Sequence, residues 1–312
     1  MTNQPFLQEL ENDSGLNNLK STQDWLKENK IFIELKLEEH GAIIFKDLPV
    51  KTAEDFDQFV STFNYETFTY EESLSNAVRI NKTDKVFTAN EAPREVEIFL
   101  HHEMAQTPTY PKNIFFFCKS ASETGGETPL CRSDQLYEAL LKADKALVES
   151  FEKFGVIYNS IMSSGDELIS GQGRSWQKTL GVSSKIDAEA KLSKLGYSWN
   201  WIEDDNLSVT TKTLQATKEL GNGQKSFFNQ VIAASLGWKK NSENQIAPVR
   251  FGNGEEIKES YIELISELAQ SLTLLRSWQD RDILLIDNYR VMHGRKPFAG
   301  NKNREVLVSL AN

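Results

Sequence analysis

The chain has 312 residues, enough for one large domain or two small ones with a sizeable buried core. Hydrophobic residues make up 39% and charged residues 26%, the profile of a folded globular protein rather than a disordered one. The formal net charge of −10 lacks the Lys/Arg excess that screens phosphates, which speaks against nucleic acid or an anionic membrane surface as a partner. Two cysteines, Cys118 and Cys131, cannot build a disulfide framework and read as incidental thiols of a reducing compartment. The N-terminus has neither a basic region nor an apolar core, and no apolar run approaches the ~20 residues of a membrane helix. The expectation is a cytoplasmic protein.

In chain order, residues 1–30 are polar and predict an arm with one amphipathic helix around Leu19–Lys30. Gly41–Phe45 reads as a buried strand. Beyond Pro49, Thr52 can cap a helix whose Phe56, Phe59, Val60 and Phe63 form a core stripe at i, i+3, i+4 and i+7. Asn113–Cys118 is too short and too aromatic for a helix and predicts a second buried strand. Gly125-Gly126 marks a turn, and Ser133 is placed to cap a helix carrying Leu136, Leu140 and Leu141.

Residues 160–250 are rich in Ser, Gly, Lys and Trp, with turn signals at Gly171-Gln-Gly173 and Gly221-Asn-Gly223. They predict a long insertion folded against the site, not a separate domain, so that residues 1–312 form one domain. Residues 256–275 predict a helix with Tyr261, Leu264, Ile265, Leu268, Leu272 and Leu275 on one face. Asp282–Asp287 and Glu305–Leu310 predict strands on either side of His293.

The chain holds four histidines: His40, His101, His102 and His293. A ferrous site that leaves positions free for oxygen uses two imidazoles and one carboxylate. His101 and Glu103, at i and i+2, would share one face of a strand, and His293 is the obvious third ligand besides His40. A His-x-Glu pair alone is weak, since the composition predicts roughly 0.6 such His-x-acid pairs by chance. His102 can also be the ligand, although successive strand side chains point to opposite faces. Arg304 heads the last strand and can hold a distant carboxylate through its planar fork, with Thr128 donating a hydroxyl to the same group. The bland alternatives are a surface arginine and a turn threonine.

Several segments together carry a resemblance. Thr88-Ala-Asn-Glu91, Leu100-His-His-Glu-Met104, Tyr110-Pro111, Phe115-Phe-Phe-Cys118, Gly125-Gly-Glu-Thr-Pro129 and Asp287-Asn288 through His293-Gly-Arg295-Lys-Pro-Phe298 are similar to the taurine dioxygenase/clavaminate synthase-like family, and to its clavaminate synthase-like branch most of all. Gly173-Arg174, Trp176, Phe228-Asn229 and Gly237-Trp238 resemble that branch too. The resemblance runs from about Glu38 to the C-terminus.

It implies a mainly β (α+β) fold, a double-stranded β-helix or jelly-roll core with flanking helices. It implies that His101, Glu103 and His293 bind iron(II), that Arg304 and Thr128 bind 2-oxoglutarate, and that O2 is the oxidant. The default outcome is hydroxylation with release of succinate and CO2; desaturation or cyclisation is the alternative. Halogenation is disfavoured because Glu103 is present.

One departure concerns the substrate. The sulfonate-using branch has a second arginine four residues after the first, and here that position is Val308. The expected substrate is a small polar amino-acid-like molecule, free or on an aminoacyl carrier protein, facing Asn90, Glu91, Arg174 and Asn229. A zinc hydrolase would leave Arg304 and Thr128 without a purpose, and a lapsed, non-catalytic jelly-roll binder would be expected to miss a ligand. Oligomeric state is not legible.

Overall fold

The computed structural model describes residues 6–68, 74–75, 77–166, 173–221, 223–238 and 246–312. β1 (Leu7–Leu10) precedes α1 (Leu19–His40), which starts where the Asn18 side chain accepts from the Ser21 amide and stops at Gly41 in the left-handed region. β2 (Ala42–Phe45) and α2 (Ala53–Ser61) follow, α2 opening on a reciprocal capping box between Thr52 and Asp55. Then come β3 (Phe87–Thr88), β4 (Ile98–His101), β5 (Asn113–Ser120), β6 (Thr124–Gly125), β7 (Thr128–Arg132), α3 (Ser133–Ala143) and α4 (Lys145–Phe154).

The middle of the chain holds β8 (Val156–Met162), α5 (Trp176–Leu180), α6 (Lys185–Leu195), β9 (Ser198–Trp201), β10 (Leu207–Thr210), β11 (Lys218–Gly221), β12 (Gln224–Ser226), α7 (Val231–Gly237) and β13 (Val249–Phe251). The C-terminal part holds α8 (Glu259–Ser271), β14 (Thr273–Arg276), β15 (Ile283–Asp287), β16 (Val291–Arg295), β17 (Phe298–Ala299) and β18 (Glu305–Ala311).

Among the described residues, a six-stranded sheet runs β1-β2-β15-β5-β18-β3, antiparallel except for β1 beside β2. A four-stranded antiparallel sheet runs β14-β7-β16-β4. Strands made of consecutive apolar residues need cover on both faces. Along β5, Ile114, Phe116 and Cys118 face the four-stranded sheet and meet Leu130 and Val291. Phe115 and Phe117 face the other way, against α1 and α2. The Phe56 ring of α2 stacks on Phe117 with centroids 5.3 Å apart.

The outer face of the four-stranded sheet, at Cys131 and Met292, is covered by α3, α4, α8 and part of the middle segment. The chain is thus a mixed α/β structure with helices outside two facing antiparallel sheets. Both cysteines are free and buried, and burial pushes each thiol up to about 12. No described helix is long and apolar enough to cross a membrane.

The middle segment contributes a further sheet, β13-β8-β10-β9, the β11-β12 hairpin, and a separate apolar cluster around Trp176, Leu192 and Leu207. Gly171, Gln172 and Asn222 of the expected turns lie outside the described residues.

Outside the site, and at His293, the elements differ from the sequence expectation as follows. The first helix continues ten residues past Lys30, because Ile33 and Leu37 bury against the six-stranded sheet. The N-terminal arm is not wholly peripheral, since β1 pairs with β2. The helix expected over 256–275 ends at Ser271, and Leu274-Leu275 pair with Leu130-Pro129 as an edge strand. Ser133 does not cap α3; its hydroxyl donates to the Arg290 carbonyl. His293 lies inside β16, not past the end of a strand.

β16 and β4 pair with His293 opposite His101, and the register shifts between His293 and Arg295. Gly294 occupies that shift. A Cβ there would sit 2.4 Å from the Ile98 carbonyl oxygen and 3.1 Å from Pro129 Cγ. Gly294→Ala should therefore separate the strands that carry the two histidines. We expect a loss of about 1–3 kcal/mol in urea unfolding, the range for overpacking, together with weaker divalent-metal binding.

Candidate active site

β4 delivers His101 at its last residue, and the chain then turns through Glu103 and Met104, the latter at φ +59°. Glu103 is thus off the strand, contrary to the expectation that an i, i+2 pair would share a strand face. Its position is set from elsewhere. The Glu103 amide donates to Asn288 Oδ1 at 2.7 Å, and Asn288 Nδ2 donates to the Glu103 carbonyl at 3.0 Å and to the Pro111 carbonyl at 2.8 Å. One buried carboxamide grips both backbone groups of the residue. The ligand atoms of His101, Glu103 and His293 then lie within 4.8 Å of one another.

The donor set fits a divalent ion. His101 Nδ1 lies 2.8 Å from the Phe99 carbonyl, which only accepts, so this nitrogen carries the proton and Nε2 presents its lone pair. Burial, reinforced by the neighbouring His293, holds the His101 imidazole down at about 4. Burial opposes ionisation of Glu103, yet the Arg79 guanidinium and His293 outweigh it and hold the carboxyl well below its ordinary range. Glu103 Oε2 faces both rings, 3.5 Å from His293 Nε2 and 3.9 Å from His101 Nε2.

His102 points the opposite way. It is fully buried, with Nδ1 against the Asn288 carbonyl and its ring 4.6 Å from that of Phe228. Burial pushes it down to about 3. His40 ends α1, 3.5 Å from the Glu39 carboxylate, and is not part of the cluster.

Arg79, His101, Glu103, Thr128, His293 and Arg304 line one cavity of about 120 Å3. Arg304 is largely buried. One of its terminal nitrogens donates to the Gly126 carbonyl at 3.3 Å, and its buried Nε has no partner. A buried guanidinium with unmet donors suits an anion. Thr128 Oγ1 accepts from Trp278 Nε1 at 2.9 Å, which leaves its own proton to donate. Gly126, at φ +74°, makes room: a Cβ there would meet Arg304 Nε at 3.0 Å. A carboxylate beside Arg304 would meet donors from both Arg304 and Thr128.

The remaining sequence candidates divide. Asn90 lines the cavity, and its Oδ1 also accepts from the Ala92 amide at 2.9 Å. Glu91 is exposed. Arg174 reaches the Ser75 carbonyl at 3.5 Å, and Asn229 is buried between the Ala216 carbonyl and the Val231 amide. Glu91, Arg174 and Asn229 do not line the cavity.

Sequence reading missed Arg79, Gln230 and the gripping role of Asn288. It missed Arg295 as well, whose guanidinium holds the Ala92, Pro93 and Val96 carbonyls at 2.7–2.9 Å. Asn288 and Arg295 lie in a segment that carries the family resemblance, whereas Arg79 and Gln230 lie in none.

Two imidazoles and a carboxylate around one point, beside a buried cation for a second anion, are what an iron(II)/2-oxoglutarate oxygenase requires. The comparisons agree. The chain belongs to the TauD/TfdA family: the family model described as "Taurine catabolism dioxygenase TauD, TfdA family" matches residues 7–310. A clavaminate synthase-like protein of Arabidopsis thaliana is 32% identical over 286 residues, covering 91% of this chain and 86% of that protein. The dapdiamide synthesis protein DdaC of Enterobacter agglomerans is 28% identical over 289 residues, covering 88% and 83%. The crystal structure of AAD-2 with Mn(II) and N-oxalylglycine shares the fold, with a TM-score of 0.52 at 15% identity over 91% of this chain and 87% of that one. The enzyme uses iron(II), 2-oxoglutarate and O2.

Two tests follow from the geometry. Asn288→Ala removes the grip on Glu103 and should weaken Mn(II) binding by about 10–100-fold, read by titration under argon. Acid should weaken the metal-free fold. Unfolding returns His101 and His102 from about 4 and about 3 to their ordinary 6.5, so the unfolded chain takes up protons first as pH falls. Stability should be full above pH 6.5 and should decline towards pH 4, with Glu103 adding to the loss below its ordinary 4.5; urea midpoints across that range check it.

Proposed function

We propose that this chain hydroxylates an unactivated C–H bond of a small, polar, amino-acid-like substrate, free or carried on an aminoacyl carrier protein. His101, Glu103 and His293 are read as the iron ligands, and Arg304 with Thr128 as the clamp on the far carboxylate of 2-oxoglutarate. The two facing antiparallel sheets are read as a double-stranded β-helix. Bound iron and 2-oxoglutarate supply the oxidising power, the co-substrate leaving as succinate and CO2. The chain's own share is to aim the two ligand sets at one space and to keep water out of it.

The observation that carries the substrate reading is the character of the cavity. Beyond the metal ligands it is walled by Asn90, Gln106, Gln230 and Arg295, with Trp238 and Ile98 as apolar cover, in about 120 Å3. Such a mix of amide and guanidinium groups suits a zwitterion better than a fatty acid. Val308 supports the same direction. It is fully buried in the apolar layer between the two sheets, so the position of the second arginine of sulfonate users carries no charge here. Gln230, Ala233 and Trp238 bring the middle segment to the cavity wall, which supports reading residues 160–250 as a cover that closes over substrate.

Arg304→Ala should raise the 2-oxoglutarate requirement more than a hundredfold, since breaking a buried charged pair costs about 3–5 kcal/mol. Arg304→Lys should recover part of it, lacking the planar fork. An unchanged Michaelis constant for 2-oxoglutarate in Arg304→Ala refutes the clamp. Succinate release should then be followed over amino acids, carrier-bound aminoacyl groups, sulfonates and fatty acids. Tight coupling to a sulfonate or fatty acid, with silence from every amino acid, refutes the substrate reading. A product heavier by one oxygen marks hydroxylation, and one lighter by two hydrogens marks desaturation.

A further inference from the structure

We infer that Arg79 is a positioning residue for the metal site: it occupies the outer oxygen of Glu103 and so makes this carboxylate a one-oxygen ligand. A terminal nitrogen of Arg79 donates to Glu103 Oε1 at 2.8 Å, and the two side chains are only 6% and 5% exposed. The other oxygen, Oε2, is the one turned to His293 and His101. The carboxylate is therefore divided, one oxygen to a guanidinium and one to the space between the imidazoles. Arg79 is itself held in place. Its guanidinium lies 5.3 Å from the centre of the Phe87 ring, and the next amide, that of Ile80, donates to Thr88 Oγ1 at 3.0 Å. Strand β3 thus anchors the arginine, while Asn288 anchors the glutamate.

The consequence concerns how many positions the protein takes on the metal. A divalent ion beside a free carboxylate can accept one oxygen or both. Taking both here would strip a charge-assisted hydrogen bond from Oε1 in a pair that is almost wholly buried, which is costly. Arg79 thereby limits the protein to three donor atoms and leaves the remaining positions to a chelating 2-oxoacid and to oxygen.

This inference rests on the reading of His101, Glu103 and His293 as metal ligands and is independent of the prime substrate. The test uses Mn(II) and the full chain under argon, with carboxylate carbons of glutamate labelled with 13C. Infrared difference spectra on Mn(II) addition report the separation of the two carboxylate stretches, wide for one-oxygen and narrow for two-oxygen binding. The wild type should show the wide separation, and Arg79→Met the narrow one. The affinity of Mn(II)-loaded Arg79→Met for 2-oxoglutarate should fall tenfold or more while Mn(II) itself stays bound. Arg79→Lys, which restores a charged donor, should recover most of that affinity.

A narrow separation in the wild type overturns the inference whether or not Arg79→Met folds. So does loss of Mn(II) from a folded Arg79→Met, or a 2-oxoglutarate affinity within twofold of wild type. Wild-type Mn(II) affinity in Glu103→Ala would instead overturn the ligand assignment beneath it.

Discussion

The Asn288 side chain is the contact on which the site depends. Its carboxamide meets the amide and the carbonyl of Glu103 at once, and its own carbonyl receives the ring of His102. A turn just past a strand end has no ladder to hold it, so its backbone groups need partners of another kind. Here they come from the turn that joins β15 to β16, 185 residues away in sequence. The same turn leads directly into the strand that carries His293. Fixing Glu103 and fixing His293 are therefore one event, and both follow from β16 lying beside β4.

Around that frame the cavity gathers charge that a small interior space does not hold cheaply. Glu103, Arg79, Arg295 and Arg304 all border about 120 Å3. Each is compensated differently. Glu103 and Arg79 pair with one another, and Arg295 spends its donors on the backbone of residues 92–96. Among the described residues Arg304 makes a single hydrogen bond, to the Gly126 carbonyl, and the Nε of Arg295 and of Arg304 are both unmet. In a low-dielectric pocket an uncompensated cation is the strongest attractor present, and the natural occupant of the space beside Arg304 is an anion. The difference between the arginines lies in what already surrounds each one.

His101 and His102 show how far neighbours can diverge. His102 is buried and His101 half-buried, and desolvation holds both neutral, yet one presents a lone pair to the cavity while the other is wedged between a carbonyl and Phe228. A cavity-facing imidazole and a packing contact are made from the same residue type at adjacent positions, His101 closing β4 and His102 lying just beyond it.

Local chemistry in the sequence was enough for the cap at Thr52 and the buried strand at Asn113–Cys118, each a matter of residue type at short spacing, while His293 was reached because the chain holds only four histidines. Arg304 at the head of an apolar strand was only a candidate on local chemistry, and its reading as a carboxylate clamp came from the family resemblance. Tertiary structure alone decided that Glu103 leaves the strand and still reaches the imidazoles, through a carboxamide from the far end of the chain. It alone ended the last long helix at Ser271, where pairing with β7 outweighed helical periodicity for Leu274 and Leu275. It alone brought Arg79 onto Glu103, from a stretch with no periodicity and no motif. The physical reason is common to all three: hydrogen bonds and ion pairs between segments far apart in sequence leave no spacing pattern, whereas caps, strand faces and helix stripes are written within a few residues.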